Sequence, residues 1–187
     1  MPDEAQLLPG DLLLVSALKP SSGSAAIINA QAGGGHAAIH ARFHHAATYI
    51  GDNLVCEAQL WKGVQVVSLY EYVGTHLLRF RRDPNLSQDD RWRLAVRSLH
   101  QLRKPYGVFA LPRLWYESRR GFWRPGVLRL TLRGIICSSL YAEAYAWTTG
   151  RLLVEGQLNL TTPADLSLSA RLSEANVEWL KIVETPL

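Results

Sequence analysis

Two residues that could act as a nucleophile and its base lie far apart in the chain, His45 and Cys137. His45 lies near the start of segment 43–51, whose pattern predicts a strand entering a turn. Cys137 follows an apolar approach and opens a segment that predicts a helix. A thiol in the first turn of a helix lies near unpaired backbone amides and the positive end of the helix dipole, and both favour the thiolate. The pair therefore predicts the site of a cysteine hydrolase, in which the backbone amide of Cys137 could donate to an oxyanion. Taken alone, a free cysteine is more often a small buried hydrophobe.

A catalytic histidine needs a third group that fixes its tautomer and ring orientation. If Gly51, Asp52 and Asn53 form a three-residue hairpin loop, Ile50 pairs with Leu54 and Ala47 pairs with Glu57. Side chains alternate along strands, so His45 and Glu57 would then be diagonal neighbours on one face.

A two-residue loop would shift the register and place Cys56 on that face instead. We prefer the three-residue loop because it leaves Cys56 inert and gives His45 an acceptor. An exposed carboxylate at a strand edge is the alternative interpretation of Glu57, and Gln59 and Gln65 are the reserve candidates for the orienting group.

Three other histidines follow helical spacing, His36, His40 and His44. On a continuous helix they would form a stripe of metal ligands. The glycine-rich segment before them and the strand pattern after them leave little helix, and the stripe contains no carboxylate or cysteine. We therefore expect no metal and no cofactor.

The remaining pattern predicts an α+β fold in which an antiparallel sheet packs against the helix that begins at the nucleophile. Strands are expected at 12–16, 45–50, 54–58, 63–68, 76–82 and 177–183. Helices are expected at 25–32, from the capping box at 87–90 to about 103, from 137 to about 149, and as a short turn or helix from 163. The apolar positions expected to form the buried stripe of the second helix are Trp92, Leu94, Ala95, Leu99 and Leu102.

Length and composition predict one folded domain over residues 1–187. No apolar run approaches the length of a membrane span. The acidic start lacks the pattern of a cleavable secretory signal, so we expect a protein that is cytoplasmic as synthesised and could leave the cell only by a leaderless route. Two cysteines cannot form a disulfide framework, and a reduced pair suits a reducing compartment.

Positive charge is concentrated between residues 113 and 133, where six arginines and four aromatic residues accompany a single acidic residue, Glu117. One interpretation is a solvated surface segment. The other is an anion-facing lid over the site, in contact with a lipid headgroup, a cell-wall polymer or a partner protein. A nucleic-acid partner is not expected, because no recognised binding motif accompanies the segment.

Six short motifs in this order resemble the circularly permuted relatives of the NlpC-type cell-wall cysteine peptidases, a set that includes YiiX-like proteins and the lecithin:retinol acyltransferase family. The motifs begin at Gly10-Asp11, His45-x-Ala-x-Tyr, Val55-Cys56-Glu57, Lys104-Pro105-Tyr106-Gly107, Cys137-Ser138-Ser139 and Pro163-Ala164-Asp165. They cover residues 10–170 apart from insertions at about 17–42 and 108–134. Histidine precedes cysteine, as in the permuted members. The acyltransferase branch has a Cys-Glu-His signature after its nucleophile, whereas this chain has Cys137-Ser138-Ser139, which favours the bacterial hydrolase branch.

The resemblance implies a permuted papain-like fold with Cys137 as nucleophile, His45 as base and Glu57 as orienter. It also makes Tyr106 and Ser138 weaker candidates for lining the site or assisting the oxyanion. The alternative interpretation of Tyr106 is an aromatic residue in a turn that packs on the core. The insertions lie where substrate walls are expected.

The leading functional hypothesis is a thiol hydrolase that cleaves an amide bond in a peptidoglycan peptide. Such an enzyme could be a toxin delivered into a competitor's periplasm, and a cognate immunity protein would then be its partner. The alternatives are a phospholipase or acyltransferase that acts on lipid esters, for which residues 113–133 would suit an anionic membrane surface, and a binding module without turnover.

Overall fold

The fold is a mixed α+β arrangement built on one six-stranded antiparallel sheet. The structure, a computed structural model, describes residues 1–106, 135–154 and 161–180. Strands are β1 (Leu12–Ala17), β2 (His45–Gly51), β3 (Leu54–Gln59), β4 (Gly63–Ser68), β5 (His76–Arg82) and β6 (Ser173–Glu174). Helices are α1 (Ser22–Gly33), α2 (Ala38–Ala41), α3 (Gln88–Leu99), α4 (Cys137–Thr149) and α5 (Pro163–Leu168). The strand order is β4-β3-β2-β1-β5-β6. None of the helices within the described ranges is long and apolar enough to cross a membrane.

The central strand β1 is covered on both faces. Leu12 and Leu14 belong to a core cluster that contains Tyr141 and Tyr145 of α4. Leu13, on the opposite face, belongs to a second cluster that also contains Leu7, Ala175 and Leu69, the last of these in the turn that follows β4. A strand buried on both faces is a continuous apolar run rather than an alternating one, which explains the sequence Leu12-Leu13-Leu14-Val15.

The helical layer is tied to the sheet by hydroxyl groups. Tyr141 donates to the carbonyl of Gly10 at 3.1 Å, and Tyr145 donates to Asp83 at 2.6 Å. Ser98 of α3 donates to Thr48 of β2 at 3.0 Å. These bonds fix the direction of α4, whose first residue is Cys137, against the sheet.

Most predicted elements are present with bounds within one or two residues. Helix α1 is longer than the expected 25–32, because Ser21 caps it with a side-chain bond to the backbone N–H of Ser24. The regular part of α3 ends at Leu99, and turns continue to residue 103. The segment 108–134, including the arginine-rich residues, lies outside the described residues.

The predicted buried stripe of α3 is wrong at two positions. Trp92 is 48% exposed and Leu102 is 41% exposed. The buried face instead carries Leu94 and Ala95 together with Arg91 and Ser98. These two polar residues are buried because they have partners: Arg91 donates to the carbonyl of Asp83, and Ser98 bonds Thr48.

The predicted final strand at 177–183 is also wrong within the described residues. The sheet edge beside β5 is occupied by the two-residue strand β6, which pairs with Arg81 and Arg82. Trp179 makes an isolated bridge to Pro2. Residues 181–183 lie outside the described residues.

Gly10 occupies a position that both its backbone and its surroundings reserve for glycine. Its φ is +84°, and an added Cβ would lie 2.9 Å from the carbonyl oxygen of Arg91. We expect Gly10→Ala to lower the free energy of unfolding by about 3 kcal/mol, through left-handed strain plus the clash. Chemical denaturation measures this difference.

Gly35→Ala is the matched control, because Gly35 has φ +95° but no atom within 4 Å of an added Cβ. Its expected cost is the strain alone, about 1–2 kcal/mol. Equal losses in the two variants would contradict the close packing of the β1 turn on α3.

Candidate active site

The thiol of Cys137 lies beside the start of strand β2. Pairing between β2 and β3 begins at Ala47 and Glu57, whereas Ala46 lies nearer the strand start. There the backbone N–H of Ala46 donates to the Cys137 sulfur, as does the N–H of Ser138. The sheet therefore supplies one donor to the sulfur and the helix supplies another.

The start of α4 leaves its first-turn amides without a side-chain cap from the residue before it. The N-cap is Ile136, which has no polar side-chain atom, and Ser139 bonds the backbone N–H and carbonyl of Ile136 instead. The positive end of the helix dipole therefore faces the sulfur with little competition.

His45 and Cys137, predicted from the sequence to be partners, are hydrogen-bonded to each other. Burial opposes charge on the ring, but attraction to Cys137 and bonds to Cys137 and Glu57 raise the pKa of His45. Burial likewise opposes the thiolate, but His45 and the two backbone donors lower the pKa of Cys137. Both shifts favour a thiolate–imidazolium pair, which is the reactive form of a catalytic cysteine.

The predicted orienter, Glu57, is in place. Its Oε2 lies 2.6 Å from Nε2 of His45, so the other ring nitrogen is left to face the thiol. The alternative of an exposed strand-edge carboxylate is wrong, since Glu57 is 1% exposed. Burial alone would raise the pKa of Glu57, but His45, Tyr72 and Gln65 together lower it to about 2.

The hairpin reaches the predicted pairing by a different route. Ala47 pairs with Glu57 as expected, but Leu54 pairs with Gly51 rather than with Ile50. The loop has two residues, Asp52 and Asn53, both with positive φ as in a type I′ turn. A bulge between Tyr49 and Gly51 absorbs one residue and restores the register that a two-residue loop would otherwise have lost.

Three further side chains complete the support of Glu57. Gln65 donates to Oε1 of Glu57 at 2.9 Å and also to Gln59 at 2.9 Å. The two reserve candidates for the orienting group therefore belong to the hydrogen-bond network around Glu57. The hydroxyl of Tyr72 donates to Oε2 of Glu57. Sequence reasoning missed Tyr72, which lies in the short 3-10 turn after β4, because only the folded chain brings this turn over β3.

Cys56 lies off the face that carries Glu57, as the predicted pairing of Ala47 with Glu57 required. It belongs to a buried cluster with Leu140 and Ile135 on the helix side of the sheet, facing away from Glu57. Burial and the neighbouring carboxylate raise its pKa to about 12.

The two weaker candidates occupy different positions. Tyr106 lines a pocket together with Cys137, and burial and the nearby sulfur raise its pKa, so its hydroxyl remains a donor. The hydroxyl of Ser138 also borders the pocket but donates to the carbonyl of Thr161. Ser138 therefore contributes its backbone N–H rather than its side chain.

The histidine stripe does not converge. Helix α2 covers only Ala38–Ala41, and His36 pairs with Asp165 at 3.2 Å. His40 lies 2.9 Å from the hydroxyl of Ser167, and His44 lines the pocket beside Cys137. Across the three described ranges, no group of three or more His, Cys, Asp or Glu side chains is arranged to hold a metal ion.

No protein-family model and no curated protein matches the chain. Among solved structures, it is similar to the crystal structure of the metalloprotein YiiX from Escherichia coli O157:H7, described as DUF1105. The two share 18% sequence identity with a TM-score of 0.64, over 94% of this chain and 99% of that chain. The chain therefore has a YiiX-like fold.

Cys137 is expected to be alkylated by iodoacetamide at mildly acidic pH. A thiol with an ordinary pKa loses reactivity about tenfold per pH unit below that pKa, whereas the lowered pKa of Cys137 keeps thiolate present there. Mass spectrometry of the labelled protein across pH 5 to 9 measures the rate.

The control is the Cys137→Ser variant, which retains Cys56 alone. With a pKa of about 12, Cys56 has a thiolate fraction of about 10⁻⁵ at pH 7 and should stay unlabelled in the folded protein. A Cys137 rate that falls tenfold per unit from pH 8 downwards would contradict the ion pair.

Tyr72→Phe tests the support of the buried carboxylate. Near pH 6 the variant should lose about 2 kcal/mol of folding free energy, the usual worth of a hydrogen bond to a charged group. The lowered pKa of Glu57 means that its stabilising charge is present above pH 4.5 and is lost as the pH falls through about 2. The deficit of Tyr72→Phe should therefore shrink over the same interval.

Denaturant titrations at several pH values between 6 and 2 measure this deficit. Tyr70→Phe is the matched control, since Tyr70 lies in the same turn but is 39% exposed, and we expect a change within about 0.5 kcal/mol. If the deficit of Tyr72→Phe does not change with pH, the hydroxyl contributes to stability through packing and not through its bond to the ionised Glu57.

Proposed function

We propose that this protein is a cysteine hydrolase that cleaves an amide bond, with Cys137 as nucleophile, His45 as general acid and base, and Glu57 as orienter. The observation that carries the proposal is the hydrogen-bonded series from the Cys137 thiol through the His45 ring to the Glu57 carboxylate. Each member has the charge that the reaction needs: an activated sulfur, a protonated ring and an ionised carboxylate.

The first half of the reaction forms an acyl-enzyme. The Cys137 thiolate attacks the carbonyl carbon, a C–S bond forms, and the carbonyl π electrons move to oxygen. Imidazolium His45 gives its proton to the amide nitrogen as the C–N bond breaks, and the amine leaves. The backbone amide of Cys137 and the hydroxyl of Tyr106 are the proposed donors to the oxyanion.

The second half regenerates the enzyme. Neutral His45 takes a proton from water as the water oxygen attacks the thioester carbon. The C–S bond then breaks, the sulfur leaves as thiolate, and the acid is released. Glu57 holds Nε2 of the ring throughout, so the same nitrogen faces the sulfur in both halves.

We further propose that the fold is a permuted papain-like one. A sheet histidine precedes the helix-start cysteine in the chain, whereas ordinary papain-like enzymes have the reverse order. Because the site depends on geometry rather than chain order, permutation leaves the chemistry unchanged. The likeness to YiiX in fold supports this assignment at a coarse level.

A metal-dependent reaction is not proposed, although the similar structure of YiiX is described as a metalloprotein. The donor atoms near Cys137 are committed to one another: the thiol binds His45, and Nε2 of His45 binds Glu57. Within the described ranges, no three His, Cys, Asp or Glu side chains are arranged to hold a metal ion, so these residues do not fit one.

The proposed substrate is a peptide of peptidoglycan, and an immunity protein in the producing cell is the proposed partner if the enzyme is an antibacterial toxin. A lipid ester is the second candidate, favoured by the apolar pocket beside the sulfur. The same thiolate would attack an ester carbonyl, and the C–O bond would break as His45 gives its proton to the leaving oxygen, so an alcohol is released in place of the amine.

Purified protein incubated with peptidoglycan should release new amine ends. Cys137→Ala should reduce the rate roughly 10³-fold or more, because the nucleophile is removed, whereas Cys56→Ala should retain it. Labelling of free amines followed by chromatography measures the products.

A parallel incubation with phospholipid vesicles separates the alternatives. Fatty-acid release that depends on Cys137, without new amine ends, would replace the amidase by a lipid hydrolase. Absence of both products in a protein whose Cys137 is readily alkylated would favour a binding module.

A further inference from the structure

A pocket that opens to solvent is lined by Cys137 and its neighbours. Ile136 borders it beside the nucleophile, Ile27 and Ala30 line it from α1, and Pro163 lines it from α5. Helix α1 belongs to the insertion predicted at about 17–42, so this insertion forms a wall beside the nucleophile.

The buried amide of Gln31 borders the same pocket, but its polar atoms are already used. Its Nε2 donates to the carbonyls of Ala41 and Phe43, both at 2.8 Å, and its Oε1 accepts from the backbone N–H of Ala164 at 2.9 Å. Gln31 therefore fastens α1 to α5 and to the segment before β2, and it has no donor left for a ligand.

Two lining hydroxyl groups are used in the same way. Ser138 donates to the carbonyl of Thr161. Thr162 donates to the Asp165 carboxylate at 2.7 Å and accepts from the Asp165 backbone N–H, as the N-cap of α5. Each of these two hydroxyl groups therefore donates its proton within the protein rather than to a ligand.

The two remaining polar side chains are uncharged donors. Nδ1 of His44 accepts from the backbone N–H of Ala17 at 3.4 Å, which places the ring proton on Nε2. Burial, followed by repulsion from His45 and His76, lowers the pKa of His44 to about 4, so the ring is neutral at ordinary pH. Tyr106 keeps its proton. A neutral N–H and an O–H suit a carbonyl oxygen and offer no counter-charge to an anion.

We propose that this pocket receives the acyl portion of the substrate and that this portion is uncharged and largely apolar. The proposal deepens, and rests on, the proposed cysteine hydrolase. Apart from the nucleophile, no described side chain that lines the pocket is charged at neutral pH, so a charged acyl group would lose its hydration without gaining a partner.

For a wall peptide the proposal selects one kind of bond. An alanyl carbonyl presents a methyl group to the pocket and satisfies the requirement. A γ-glutamyl carbonyl, whose acyl portion carries a free α-carboxylate, does not. The acyl donor is therefore expected to be an alanyl residue rather than a γ-linked glutamyl residue.

Nitrophenyl esters test the acyl pocket without a natural substrate. The butyrate and the hemisuccinate are both four-carbon acyl groups, and they end in a methyl group and a carboxylate respectively. Above the spontaneous hydrolysis of each ester, kcat/KM for the butyrate should exceed that for the hemisuccinate by about 10- to 100-fold. Nitrophenolate absorbance measures both rates, and equal values would overturn the proposal.

Repulsion by the Cys137 thiolate could produce the same preference without the pocket, and Ile27→Lys separates the two causes. Ile27 is half-buried on α1, so a lysine there can place its ammonium group at the pocket while its stem covers apolar surface. The butyrate preference should fall at least about tenfold in this variant. An unchanged preference would show that the acyl group does not enter the pocket.

Ile39→Lys is the matched control. Ile39 is 66% exposed on α2 and does not line the pocket, so the same change of charge should leave the ester ratio as it is in the unmodified protein. An equal change in both lysine variants would contradict the pocket and indicate a general effect of net charge.

The failures of the two proposals are distinguishable. If neither ester is turned over by a protein whose Cys137 is not alkylated at acidic pH, the hydrolase itself fails. If both esters are turned over equally through Cys137, the hydrolase stands and the acyl pocket fails. Equal ester rates in the unmodified protein overturn the acyl pocket even if Ile27→Lys does not fold.

Discussion

The buried carboxylate of Glu57 is the constraint on which the site depends. An ion that is 1% exposed is costly to bury unless several donors replace its lost hydration. The donors are His45 from β2, Gln65 from β4 and Tyr72 from the turn that follows β4. Satisfying one anion therefore brings three segments together, and it leaves the histidine ring fixed with its second nitrogen towards α4. The orientation of the His45 ring is therefore a consequence of the need to stabilise the buried Glu57 carboxylate.

Two residues of the same type can favour opposite protonation states in this protein, because their surroundings differ. Cys56 precedes the anion in sequence and faces an apolar cluster, so its thiol stays protonated. Cys137 faces an imidazole and two backbone donors, so its thiolate is favoured. His44 and His45 are adjacent, yet His44 is held neutral while His45 is held protonated.

Sequence reasoning predicted most of the sheet and the juxtaposition of His45 with Glu57 and Cys137, since strand alternation and helix capping are local signals. It obtained the pairing of Ala47 with Glu57 from a three-residue loop, whereas a two-residue turn and a bulge produce it. A bulge leaves no mark in hydrophobic periodicity, so a parity argument cannot detect it. Tyr72 was missed because it lies after β4, outside the strands, where side-chain alternation predicts no position. Trp92 was misplaced because α3 buries Arg91 and Ser98 against specific polar partners. In each case the deciding interaction is tertiary.

In the proposed hydrolase, chemistry and specificity are carried by different parts of the chain. The proposed base and its supporting groups lie on or beside β2, β3 and β4, whereas Ile27 and Ala30 line the pocket from α1. Gln31 connects that helix to α5 and to the segment before β2 through three hydrogen bonds, so the wall is fastened close to the base. A change in α1 can alter the group accepted beside the sulfur without disturbing the charge network of Glu57. If the proposed acyl pocket is correct, a difference in substrate between proteins of this fold would arise in the wall that α1 forms, because fold alone does not fix function.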